Sequence, residues 1–115
     1  MTVTLYHNPR CSKSRQTLAL LEEQGINPTI REYLINVPTA DEVRELLKML
    51  KFSARDLMRK KESEYKDNNL ANEELSEDDL IQAMINFPKL IERPIVIKNG
   101  KAAIGRPPES VLEIL

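Results

Sequence analysis

Apolar positions in this chain switch between a period of two and a helical period, and the switches mark out its elements. Val3 to Tyr6 is a short run of mostly β-branched and aromatic residues closed by the breaker pair Asn8-Pro9, the pattern of a strand. From Ser12 the spacing is helical. Leu18 and Leu21 share one face with Leu20 beside them, and Gly25 is placed to stop the helix in a left-handed conformation. Thr29 to Leu34 returns to the strand pattern. A helix between two successive strands predicts a right-handed crossover with the strands parallel. The loop from His7 to Cys11 then lies at the C-terminal edge of the sheet, where ligands sit in folds of this type.

The middle of the chain reads as helices. Thr39 and Glu42 form a capping-box pair ahead of Val43, Leu46, Leu47 and Leu50 at i, i+3, i+4 and i+7. Ser53 and Asp56 repeat the signature for a shorter helix carrying Leu57 and Met58 and ending at Arg59; the polar stretch from Lys60 to Asn69 is expected to be loop. Ser76 and Asp79 cap a third helix with Leu80, Ile81, Met84 and Ile85, which stops before Pro88. Ile95 to Lys98 and Lys101 to Ile104 flank Asn99-Gly100, the strongest short-range signal for a two-residue hairpin. Pro107 and Pro108 open a last helix with Val111, Leu112 and Leu115 on its apolar side. The pattern predicts an α/β chain with the skeleton of a thioredoxin-like fold: a mixed four-stranded sheet with a helical insertion before the C-terminal hairpin. With 115 residues, 41% of them hydrophobic, residues 1–115 are expected to form a single domain around one core.

Composition narrows function more than fold. Seventeen Lys and Arg against 18 Asp and Glu leave a net charge of −1 and a pI near 5.9, so nucleic acid and anionic membrane are not expected partners. No run approaches the roughly 18 apolar residues of a membrane span, and the N-terminus lacks a signal-peptide layout; a cytoplasmic location is expected. One cysteine precludes an internal disulfide, and one cysteine with one histidine cannot supply the ligands of a usual zinc site, so no metal is expected.

That cysteine, Cys11, falls between the first strand and the first helix, with Arg10, Lys13 and Arg15 close in sequence. A free cysteine is either a small buried apolar group or a reactive thiol. A sulfur at a helix N-terminus among cations ionises more easily and faces an anion site, which favours the reactive reading. A thiolate and an anion repel each other unless further cations offset them. Arg59, Arg93 and Arg106 are candidates, and each taken alone reads as a solvated surface residue. Together their planar forks would suit a tetrahedral oxyanion. In a thioredoxin-like fold the bond before the hairpin strand is often a cis X-Pro facing the cysteine loop, and Arg93-Pro94 occupies that place. His7 is either a general acid or base or a residue that orients the loop. Ser14, three residues after Cys11, is either an ordinary first-turn serine or a donor to the sulfur. A tyrosine-phosphatase loop needs arginine six positions after its cysteine, and Thr17 stands there.

The segments YHNPRCSKSR, ARDLMRK, LIERPIVI and IGRPPESVLEIL resemble the active-site loop and the three later arginine segments of the glutaredoxin-coupled arsenate reductases, a family with a thioredoxin-like fold. The resemblance spans nearly the whole chain. It implies Cys11 as nucleophile, Arg59, Arg93 and Arg106 as cations that bind arsenate and stabilise the transition state, and His7 and Ser14 as supporting residues. It also implies glutathione as co-substrate and glutaredoxin as partner, with no bound cofactor. The single cysteine agrees in kind: it can form only the first adduct with arsenic, and an external thiol must finish the reduction. Two other functions suit the same fold. A transcription-regulator branch binds RNA polymerase and senses oxidation through a CxxC pair, of which Ser14 removes the second cysteine. A monothiol oxidoreductase acting on glutathione mixed disulfides would leave the three arginines without a task.

Overall fold

The computed structural model, which describes residues 2–115, begins with β1 (Val3–Tyr6) and turns through the His7–Arg10 loop into α1 (Ser12–Glu23). β2 is Thr29–Arg31, and a helical stretch follows: α2 (Ala40–Leu50), α3 (Ala54–Leu57), α4 (Ser63–Asp67), α5 (Glu77–Asn86) and a 3-10 turn at Pro88–Leu90. β3 (Ile95–Lys98), β4 (Lys101–Ile104) and a 3-10 helix (Pro108–Ile114) complete the chain. It divides into two compact units, one from the residues up to Asn36 with Arg93–Leu115, the other from Val37–Glu92.

The first unit holds the sheet, in the order β2-β1-β3-β4. β1 and β2 are parallel, with Leu5 opposite Ile30, as the intervening helix requires. β1 and β3 are antiparallel with Leu5 opposite Val96, and β3 pairs with β4 through the Asn99-Gly100 hairpin. Both turn residues have positive φ, 53° and 74°, as a type I′ turn demands. Strand alternation puts Val3 and Leu5 on one face beside Val96, where Leu21 of α1 and Val111 of the 3-10 helix close a fully apolar cluster. Each such side chain contributes roughly 1.5–3 kcal/mol by leaving water. Along α1 the buried stripe is Ser14, Thr17 and Leu21. The helix therefore turns small polar groups toward the protein at its cysteine end and leucine at the other.

In the second unit the capping boxes form at Thr39, Ser53 and Ser76 as expected. Val43, Leu46 and Leu47 of α2 and Leu80, Ile81 and Met84 of α5 are buried, as the helical spacing requires. Arg55 anchors the connection that follows α4, donating to the carbonyls of Leu70 (2.8 Å) and Asn72 (2.6 Å). Glu77 accepts the Ala54 N–H at 3.0 Å and joins the starts of α3 and α5. An isolated antiparallel bridge pairs Met58 with Ile91, flanked by the bonds Arg59 N–H to Leu90 O (2.7 Å) and Glu92 N–H to Leu57 O (2.8 Å).

Three elements differ from expectation. β2 ends at Arg31 rather than Leu34 because the Glu32 carbonyl accepts the N–H groups of Ile35 (3.0 Å) and Asn36 (2.8 Å) and turns the chain. The polar stretch after Arg59 contains α4, organised around the buried Tyr65. The C-terminal helix is 3-10, so a period of three aligns Pro108, Val111 and Ile114 and leaves Leu112 exposed. Among the described residues no helix is long and apolar enough to cross a membrane.

Candidate active site

Cys11 is the N-cap residue of α1, with its side chain making no cap hydrogen bond. Its N–H donates to the Asn8 carbonyl (3.0 Å) and its carbonyl accepts the Arg15 N–H (3.0 Å), so the loop and the first helical turn are one hydrogen-bonded structure. The Asn8 side-chain carbonyl accepts the Arg10 N–H at 3.0 Å, an Asx turn that the Asn8-Pro9 pair foreshadows. Arg15 donates Nη1 to the Pro9 carbonyl (2.9 Å) and so braces the loop. The cysteine is buried, 8% exposed, at the helix end that favours negative charge.

Ser14 Oγ accepts the Asn8 N–H at 3.0 Å and lies 2.6 Å from His7 Nδ1. The His7 Nδ1–Ser14 Oγ pair is a hydrogen bond whose direction follows the His7 tautomer. The Ser14 bonds found among the described residues are to His7 and Asn8, and His7 orients the loop through Ser14. Burial pushes the His7 pKa below its ordinary value of 6.5; Glu32 opposes that shift and Arg15 adds to it. A lowered folded-state pKa means that the unfolded chain takes up a proton first as pH falls. Stability is then full above about pH 6.5 and is lost as pH falls from there through the lower folded value. His7 is the sole histidine of the chain, so urea unfolding between pH 7.5 and 5.5 is expected to show a slope of at most about 1.4 kcal/mol per pH unit. A His7→Gln variant should lose that slope. An unchanged slope in the variant would refute the assignment.

Arg106 follows β4 and sends Nη2 to within 3.7 Å of Cys11 Sγ. Its Nε donates to the Arg93 carbonyl at 2.8 Å, so the guanidinium is held on one side by backbone while the other side meets the sulfur. Arg93 itself has Nε and Nη1 buried. The Arg93-Pro94 bond is cis, as its place in the fold suggested, and Arg106-Pro107 is cis as well. Gly105 permits this approach: its N–H donates to Pro94 O (2.9 Å), and a Cβ on it would lie 2.8 Å from Pro94 Cγ and run into Thr17 Oγ1 of α1. Gly105 is a positioning residue that the chain pattern did not single out, and Asn8 and Arg15, read there as half of a breaker pair and as a nearby cation, brace the loop. The isolated glycine beside Arg106 was the available signal.

The first unit thus brings Arg106 to Cys11, with the Arg93 carbonyl holding Arg106 and the His7–Ser14 pair bracing the cysteine loop. Arg59 belongs to the second unit, directly after α3, where its Nη1 donates to Glu62 and its Nε lies 3.7 Å from Glu92 Oε1. Both carboxylates are partly buried with it, so its charge is compensated there. Among the described residues no cluster of three or more histidine, cysteine or carboxylate side chains could hold a metal ion. A lone thiol at a helix start, touched by an oriented guanidinium, can act as a nucleophile toward an anionic electrophile.

The model of the ArsC family matches residues 6–114. The chain is 60% identical over 98% of its length to Escherichia coli K12 "Uncharacterized protein YfgD", covering 96% of that protein. It is 52% identical to an arsenate reductase of Haemophilus influenzae, each chain covered in full. A solved structure of an arsenate reductase from Vibrio cholerae superposes with a TM-score of 0.98 at 55% identity, over 100% of this chain and 98% of that one.

Proposed function

The chain belongs to the ArsC family, and on that premise we propose that it reduces arsenate to arsenite, using glutathione and glutaredoxin as external thiols. The observation that carries this reading is the contact of Arg106 Nη2 with the sulfur of the single cysteine, 3.7 Å away at the start of α1. Naming of well-covered relatives as arsenate reductases supports the substrate.

Arsenate is a tetrahedral oxyanion, and its charge is assigned to Arg106 and Arg93, with Arg59 joining them only by exchanging Glu62 and Glu92 for the anion. The Cys11 thiolate attacks arsenic, an As–O bond breaks, and the oxygen leaves as water after protonation. The adduct still holds arsenic(V). A glutathione thiolate then attacks the Cys11 sulfur; the S–As electron pair stays with arsenic, which departs as arsenite, and the two sulfurs become a mixed disulfide. Glutaredoxin attacks the glutathione sulfur of that disulfide and returns Cys11 as thiolate. Two electrons pass from two thiols to arsenic, and the balance closes with no bound cofactor. Phosphate shares the shape and charge of arsenate and has no comparable two-electron path, so it should bind without turning over. We assign this chemistry to the cytoplasm, where thiols are kept reduced, with neither nucleic acid nor membrane as partner.

The test is a coupled assay: purified protein, glutathione, glutaredoxin and an NADPH-dependent recycling system. Arsenate-dependent NADPH oxidation is expected, with phosphate as a competitive inhibitor that gives no oxidation of its own. Absence of arsenate-dependent turnover ends this reading.

A further inference from the structure

The sheet leaves β2 at one edge, paired only with β1 among the described residues. An edge strand offers a row of N–H and C=O groups that a further strand can take. Which groups are on offer here follows from one bond. The Arg31 carbonyl accepts the His7 N–H at 2.9 Å and so points to β1. Backbone polar groups alternate in direction from residue to residue along a strand, and Ile30 therefore turns both its N–H and its carbonyl to the open side. Of the four large apolar side chains exposed among the described residues, Ile30, Leu34 and Ile35 fall at this edge and in the turn after it, with Ile35 81% exposed. Thr29 and Glu32 are exposed as well, so the edge is open to water.

We propose that this edge pairs with the same edge of a second copy of the chain, antiparallel about a two-fold axis at Ile30. The backbone selects that register. With the axis at Ile30, this residue and its copy exchange two N–H to C=O bonds, the hydrogen-bonded pair of an antiparallel ladder. Pro28 then stands opposite Glu32 of the partner subunit. Pro28 has no N–H to give, and the Glu32 carbonyl is already taken by Ile35 (3.0 Å) and Asn36 (2.8 Å), so the two gaps meet and neither costs a bond. Thr29 faces Arg31 of the partner subunit, and no like charges stand directly opposite. An axis at Arg31 would set two guanidinium side chains against each other. An axis at Thr29 would set the Ile30 carbonyl against the Pro28 nitrogen, which has no proton. An unrelated strand has no reason to carry both gaps in step, whereas an isologous contact carries them by symmetry. Across the axis the two Ile30 side chains meet on the sheet face of Leu5, and apolar surface leaves water. Three residues make a short edge, which places the dimer at the weak, small-interface end of specific contacts.

The experiment is analytical ultracentrifugation of the full chain from micromolar to millimolar concentration, run beside a pair of cross-linking variants. A species of twice 13.2 kDa is expected to grow with concentration. Ile30→Lys, which sets two ammonium groups across the axis, should lose that species while keeping the parent circular dichroism. In a Cys11→Ser background, Ile30→Cys should form an intermolecular disulfide under mild oxidation, since the Cα atoms of a hydrogen-bonded pair lie about 5.5 Å apart, within disulfide reach. Thr29→Cys should not, because its own copy sits two residues further along the ladder, beyond the roughly 7 Å limit. A parent chain that stays monomeric throughout, a dimer that survives in folded Ile30→Lys, or equal cross-linking at the two positions overturns the proposal. If Ile30→Lys does not fold, the cross-linking pair decides alone.

Discussion

A Cys11→Ser variant is expected to lose arsenate reduction by on the order of 10⁴-fold or more, the scale on which removal of a nucleophile acts. The loss has two independent physical causes. A serine hydroxyl is not ionised near neutral pH and is a far weaker nucleophile toward arsenic than a thiolate. Even if an arsenate ester formed at the serine oxygen, no second thiol could collect the electrons through it, because oxygen cannot take the place of sulfur in the mixed disulfide. The substitution is nearly isosteric, and the sulfur makes no bond that caps α1, so the fold should persist with its thermal midpoint within a few degrees of the parent. Arsenate binding is assigned to the arginines and should survive in the variant, measurable by calorimetry. Retained turnover in a folded Cys11→Ser protein would show that another group carries the first step.

How far the chain could be read in advance follows from what sets each feature. β1, the three capping boxes and the Asn99-Gly100 hairpin were legible because local chemistry decides them: a hydroxyl and a carboxylate three residues apart cap a helix wherever it packs. The parallel pairing of β1 and β2 was legible because a single helix joins them. The early end of β2 was not, since a carbonyl taken up by two following N–H groups leaves little trace in hydrophobic pattern. Nor was the 3-10 geometry after Pro107, where Leu112 looks apolar-facing on an α-helical wheel and is exposed on a threefold one. At the site the same division holds. Cys11, Arg93 and Arg106 stood out as candidates from type and place, whereas the partner of Ser14 depended on where β1 delivers His7, a tertiary matter. The grip of Arg93 O on Arg106 was equally out of reach, because it joins residues 13 positions apart across the hairpin.

That grip sets the second large effect. Arg106→Ala is expected to lower kcat by about 10²–10³-fold, the usual consequence of removing one oriented donor from developing negative charge. Charge alone should not restore it. A lysine at 106 supplies a point charge with rotating donors and cannot bond the Arg93 carbonyl while meeting the sulfur with a fixed second edge, so Arg106→Lys should recover less than about a tenth of parent kcat while KM for arsenate returns most of the way. The split separates two roles for the guanidinium. If it only attracts arsenate, lysine should restore kcat and KM together; if it also holds the sulfur and the departing oxygen in line, kcat stays low after binding has returned. A third variant reaches the same geometry without touching the charge. In Gly105→Ala the new methyl would press on Thr17 Oγ1 and Pro94 Cγ, moving Arg106 away from Cys11, and kcat should fall with arginine still present. Steady-state kinetics of the three variants side by side reads the outcome, and full activity in both Arg106→Lys and Gly105→Ala would mean that the 3.7 Å contact has no part in catalysis.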